Sequence, residues 1–190
     1  MVSAVIDKTK ALGFDEDLLL VERFLAGDTS AFEALYAKYY DKVFSLARGV
    51  LLGYDEAQDA TQEVFALVHR HLHRFDRRSR FSTWLFRIAV NRSIQEARRH
   101  KHSSRNVQLS EAIAHEAPAD REDDIDPRVQ EILVKLAPRD RALLALFYWD
   151  ELSLTEIAVS LGCGVNAAKT RLYRARERFR VLYEQEGERA

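Results

Sequence analysis

The chain has 190 residues, 47% of them hydrophobic and 31% charged, with a formal net charge of −1. That length fits one large domain or two small ones. Cys163 is the only cysteine, which excludes an intrachain disulfide and suits a reducing, cytoplasmic compartment. The opening MVSAVIDKTKALGFDEDLLL has no long apolar run, so neither a signal peptide nor a membrane span is expected.

Three prolines and seven glycines punctuate the chain between periodic segments, which favours an all-α protein. A short helix is expected from Asp15 to Ala26. Phe32, Leu35, Tyr36, Tyr39, Val43, Leu46 and Val50 recur at helical spacing, with Asp28 or Ser30 as cap and Ser30–Glu33 at capping-box spacing. Gly53 is expected to stop that helix. Asp55 opens the next, with Gln58 at the box position and Ala57, Ala60, Val64, Leu67 and Val68 as its apolar stripe. After the polar loop 76–80, Ser82 or Thr83 starts a helix carrying Trp84, Leu85, Ile88, Ala89 and Ile94.

The pattern weakens near His102. Asp120, Glu122, Asp123, Asp124 and Asp126 then accumulate, which predicts a flexible acidic linker over 103–126. Asp126-Pro127 and Ala137-Pro138 each restart a helix, the second running to about Trp149. Two small helical domains follow from this division, 15–102 and 127–186.

The strongest local signal is Ser153-Leu154-Thr155-Glu156, a capping box opening a short helix to Leu161 with Ile157, Ala158 and Leu161 inward. Gly162-Cys163-Gly164 makes a turn, and Asn166 caps a second helix. This is the helix-turn-helix layout. The second helix carries Lys169, Arg171, Arg174, Arg176, Arg178 and Arg180, with Leu172, Ala175 and Phe179 as its apolar stripe. Its N-terminal end would enter a major groove, where arginine reads guanine and lysine or hydroxyls hold phosphates. A basic helix alone is as often a solvated face; the box, turn and short helix ahead of it favour DNA.

A second basic region runs from Arg70 to Arg105, with Phe75, Phe81, Trp84 and Phe86 interleaved. Cations beside aromatics suit single-stranded nucleic acid. Trp84 opens an apolar stripe and reads first as core; the arginines have no such role.

On these residues the chain resembles a bacterial RNA polymerase sigma factor of the extracytoplasmic-function (ECF) class. The segments 57–65 and 81–92 are similar to the family's region 2. Those around Leu136–Arg141, Leu152–Ala158 and Leu172–Glu177 are similar to region 4. The resemblance implies a promoter-specificity subunit whose partners are core RNA polymerase, promoter DNA and an anti-sigma factor. It implies that Asp59, Gln62 and Glu63 dock on the clamp helices of the β′ subunit, and that region 4 meets the β flap. It assigns Arg77, Arg78, Arg80, Phe81, Trp84, Asn91 and Arg92 to the melted −10 element. Lys169, Thr170, Tyr173 and Arg174 fall at the −35 readers, with Arg171 and Arg176 as phosphate contacts. Asn166-Ala167-Ala168 departs from the family's usual Gly-Thr-Val at the reading end. The linker is implied to run through the polymerase's RNA exit path.

Helical geometry gives His69 and His73 a shared face and turns His71 away from it, with no acid or cysteine beside the pair, and Cys163 reads as a small buried thiol, so neither a metal nor a cofactor is expected. No phosphate loop, nucleophile elbow or paired-carboxylate motif is present, so no catalytic activity is expected. The alternative is a stand-alone helix-turn-helix regulator, which would need a dimerisation or ligand domain that 20–99 does not resemble. A protein-interaction module without nucleic acid is a more distant rival.

Overall fold

The computed structural model describes residues 16–107, 126–148 and 152–187. Among the described residues eight helices lie in this order: α1 (Glu16–Leu25), α2 (Thr29–Leu51), α3 (Tyr54–His71), α4 (Phe81–Val107), α5 (Pro127–Lys135), α6 (Pro138–Tyr148), α7 (Leu154–Ser160) and α8 (Val165–Gly187). A single 3-10 turn, Leu72–Arg74, follows α3. No strand occurs among the described residues. The expected helix ends at Asp15 and Trp149 and the linker residues 108–125 lie outside them.

Local chemistry explains most boundaries. Asp28 caps α2 by accepting from the Ser30 N–H at 3.1 Å, and Arg23 grips the same carboxylate at 2.6 Å. Asp28, rather than Ser30 with Glu33, is therefore the cap. At the far end Leu52, not Gly53, takes the left-handed turn, with φ 71°. Its N–H closes the helix on the Arg48 carbonyl at 2.8 Å, which offsets the roughly 1–2 kcal/mol that a side chain costs there. Gly53 instead caps α3, and the Glu56 carboxylate folds over it so closely that a Cβ would sit 1.8 Å from Oε2. The expected box at Asp55–Gln58 does not form. The helix α4 begins at Phe81 and runs to Val107, five residues beyond the expected domain end at 102.

Helices α2, α3 and α4 form a bundle, with α1 laid against α2. Its core stacks Leu35, Tyr39, Val43 and Leu46 of α2 on Val64, Phe65 and Val68 of α3 and on Leu85, Phe86, Ala89 and Val90 of α4. Alanines 47, 57 and 60 are buried together and let α2 and α3 approach closely. Each large buried aliphatic or aromatic side chain contributes on the order of 1.5–3 kcal/mol. Asp17, itself buried, anchors α1 by accepting hydrogen bonds from the Tyr39 hydroxyl and from Lys38 Nζ, the latter at 2.7 Å.

The second module, α5 to α8, does not bury a separate core. Leu143, Leu146, Ile157, Ala158, Ala168, Leu172 and Ala175 join the same continuous cluster as the bundle. Helix α6 packs on α2 and α4, and α7 packs on α4. The two small domains into which the sequence divides thus share one core spanning both modules.

Candidate nucleic-acid and polymerase interfaces

The helix-turn-helix forms as its sequence prescribes. Ser153 Oγ accepts from the Glu156 N–H at 3.3 Å, and Glu156 Oε2 accepts from the Ser153 N–H at 3.0 Å, a closed capping box. Gly162 takes φ 62°, where a side chain would be strained, and the Cys163 N–H returns to the Ala158 carbonyl at 2.9 Å. Cys163 is half-buried in this turn. Helix α8 begins at Val165, one residue before the expected cap at Asn166. Ala168, Leu172 and Ala175 seat it, while Phe179 is only half-buried.

Lys169, Thr170, Arg171, Tyr173, Arg174 and Arg176 are all exposed, Tyr173 at 64%. Lys169, Arg171 and Arg174 make no ion pair with any described residue. At 100° per residue, Tyr173, Thr170 and Arg174 lie farthest from the buried stripe. The Thr170 hydroxyl donates to the Asn166 carbonyl at 2.9 Å, so its proton is held by the helix. Arg176 stands 5.7 Å from the Tyr148 ring centroid, turned toward α6.

The loop before α4 carries Arg77, Arg78 and Arg80, all exposed. Arg77 takes φ 59° and pairs with Glu22 at 3.0 Å. Arg78 leans on Asp76 at 3.5 Å. Arg80 reaches across to Glu156 at 3.3 Å, so the carboxylate that caps the helix-turn-helix also holds the loop. Phe81 differs from its sequence assignment: it is 0% exposed, packed against Tyr39, Phe75 and Trp84. It belongs to the core because α4 starts on it and turns it inward. Trp84 is half-buried on Phe75, with ring centroids 5.5 Å apart.

Asn91 is exposed and lines a cleft of about 500 Å³ together with Gln95, Arg98, Arg139 and Arg171. Residues assigned to opposite ends of a promoter thus face one another. Arg92, assigned beside Asn91, points elsewhere: it pairs with Glu63 of α3 and with Glu96 at 2.9 Å. Asp59, Gln62 and Glu63 share the exposed outer face of α3. His69 lies between the Phe24 and Phe32 rings, 5.0 and 4.9 Å away. His73 falls in the 3-10 turn, so the expected shared face of His69 and His73 does not form.

Sequence reasoning missed Arg141. It is buried, and its Nε donates to the Val50 carbonyl at 2.8 Å across the seam between modules. Its Nη1 donates to the Leu133 and Leu136 carbonyls at 3.1 and 3.0 Å. Burial pulls its pKa down, yet a guanidinium keeps its proton at any physiological pH. Only its place in the motif Leu136–Arg141 signals it. Ser160 Oγ adds a longer bond to the Thr83 carbonyl at 3.4 Å.

Burial alone would raise the Glu156 pKa, but hydrogen bonds from Ser153 and the nearby Arg80 charge outweigh it and hold the carboxyl below its ordinary value. A depressed carboxyl contributes stability above its unfolded value and loses it as pH falls through the folded one. Acid titration below about pH 4.5 should therefore loosen the start of α7 in the wild type and less so in Glu156→Gln. Amide exchange at Glu156 and Ile157 reads this; equal acid sensitivity in both proteins would count against it.

Family comparisons agree with this two-module build. Sigma-70 region 2 matches residues 35–103 and Sigma-70, region 4 matches residues 127–179. The ECF RNA polymerase sigma factor SigW of Bacillus subtilis is 33% identical over 84% of this chain and 92% of its own length. The ECF RNA polymerase sigma-E factor of Escherichia coli is 34% identical over 85% of this chain and 91% of its own. Among solved structures, CnrH in complex with the cytosolic domain of CnrY superposes with TM-score 0.70 at 25% identity, covering 90% of this chain and 99% of CnrH. The chain belongs to the sigma-70 family of RNA polymerase sigma factors, in its ECF class. It is accordingly a promoter-recognition subunit, and the stand-alone regulator is not favoured. No described helix is long and apolar enough to cross a membrane.

Proposed function

We propose that this chain, bound to core RNA polymerase in the cytoplasm, grips a promoter at two points and contributes recognition rather than catalysis. Helix α8 reads duplex −35 DNA through Lys169, Tyr173 and Arg174. The loop arginines with Trp84 and Asn91 hold the melted −10 strand. The outer face of α3, around Asp59, Gln62 and Glu63, meets the β′ clamp helices, and the second module meets the β flap. The observation that carries this reading is the exposed cationic end of α8, which pairs with no carboxylate among the described residues and is mounted on a closed helix-turn-helix.

The packed arrangement cannot read both elements. They lie about 25 base pairs apart, roughly 85 Å of duplex at 3.4 Å per pair. A compact chain of this length is only about 40 Å across. The second module therefore leaves the bundle when the promoter is engaged, and Arg80, now on Glu156, becomes free for phosphate. A protein of the anti-sigma kind would act by keeping the modules packed.

Transcription in vitro with sigma-free core polymerase tests the function. Addition of the chain should give promoter-specific initiation on genomic templates. Tight protection of duplex DNA without polymerase, and no specific initiation with it, would overturn the reading.

A further inference from the structure

We propose that Arg92 is a positioning residue of the polymerase-docking face, holding Glu63 in place, and not a reader of the −10 element. This rests on the reading that the Asp59–Glu63 face meets polymerase. Neighbouring residues on α4 serve different surfaces. Asn91 faces the cleft with Arg98 and Arg171, whereas Arg92, turned about 100° further round the helix, reaches α3.

Two guanidinium nitrogens of Arg92 donate hydrogen bonds, and the third, Nε, is buried in ion-pair contact with Glu63 without hydrogen-bond geometry. The Nε side pairs with Glu63, Nη1 donates to Gln95 Oε1 at 3.4 Å, and Nη2 donates to Glu96 Oε2 at 2.9 Å. The Arg92 side chain is only 13% exposed, leaving nothing to offer a phosphate or base edge. Glu63 is 52% exposed, so one side of its carboxylate rests on Arg92 while the other faces outward. Glu96, 14% exposed, shares the same guanidinium. Arg99 also pairs with Glu96 at 3.3 Å, so Glu96 is matched apart from Glu63, and Glu63 still presents an acceptor to a cationic partner helix. A carboxylate held by a planar guanidinium fork loses less side-chain freedom on docking than a free one.

Core affinity of the full chain separates the possibilities, measured by fluorescence anisotropy with sigma-free core polymerase. Arg92→Met should bind core about 5-fold more weakly, the size expected when one side chain must be ordered anew. Arg92→Lys should recover part of the loss. Glu63→Gln should weaken binding by itself, and the double variant Glu63→Gln/Arg92→Met should be no weaker than Glu63→Gln alone. Holoenzyme assembled at saturating Arg92→Met should keep wild-type base preference across the −10 element. Altered −10 preference would make Arg92 a reader and overturn the proposal. So would unchanged or tighter core binding by Arg92→Met while Glu63→Gln binds weakly, even if its thermal midpoint falls. If Glu63→Gln binds core normally, the docking face itself is misassigned and the proposal falls with it.

Discussion

Replacing Lys169 and Arg174 together with alanine should lower −35-dependent initiation by roughly 30- to 150-fold, or about 2–3 kcal/mol. Both side chains are exposed and neither pairs with a described residue, so the helix loses no packing. Alanine is also the best helix former, so α8 should persist. The loss should therefore be confined to DNA. Arg174 accounts for most of it, because bidentate base contacts discriminate, while Lys169 adds a sequence-tolerant phosphate term that fades with salt. The measurement is initiation from one promoter with an intact and a scrambled −35 element. The variant should fall to the level of the wild type on the scrambled template and fall little further there. An equal loss on both templates would remove these residues from −35 reading. Core affinity should not change.

Arg141→Met should be the most destabilising substitution at the seam. The guanidinium donates to three backbone carbonyls, one from α2 and two from the end of α5. Methionine fills similar volume but donates nothing, so the Val50 and Leu136 carbonyls lose this donor while the Leu133 carbonyl keeps the Leu136 N–H. The expected cost is about 3 kcal/mol. For a chain of this size that lowers the melting midpoint by roughly 6–12 °C. Because one of the three bonds crosses between modules, amide exchange should rise along α6 as well as at the end of α5. Arg141→Lys should rescue little, since a single ammonium cannot span three carbonyls in the fork's geometry. A midpoint within a degree of wild type would show that solvent satisfies those carbonyls and that the seam is looser than its contacts imply.

These expectations also separate local from distant information in the chain. The helix-turn-helix was legible because every interaction that defines it is short-range: Ser153 with Glu156, Gly162 at φ 62°, Cys163 back to Ala158. The cap at Asp126 is legible for the same reason, with its carboxylate accepting from the Arg128 N–H at 2.8 Å ahead of Pro127. Near-misses arose where two local solutions compete. Leu52 rather than Gly53 takes the left-handed turn, and Gly53, with the Glu56 carboxylate folded over it, caps the next helix instead. Family resemblance assigns Phe81 and Arg92 to DNA, whereas in the packed structure Tyr39 and Phe75 enclose Phe81 and Glu63 pairs with Arg92 on another face of α4.

By itself, then, the sequence determined the helices, the order of the two modules and the cationic, exposed character of the α8 N-terminal end, because periodicity, caps and turns act within a few residues. Only the tertiary structure decided how the modules share one core and what each arginine does at their seam. Arg80 to Glu156, Ser160 to Thr83 and Arg141 to Val50 link residues 76, 77 and 91 positions apart. An arginine's long side chain can serve DNA, a carboxylate or a buried carbonyl equally well. Which one it meets depends on the surfaces that packing brings within reach.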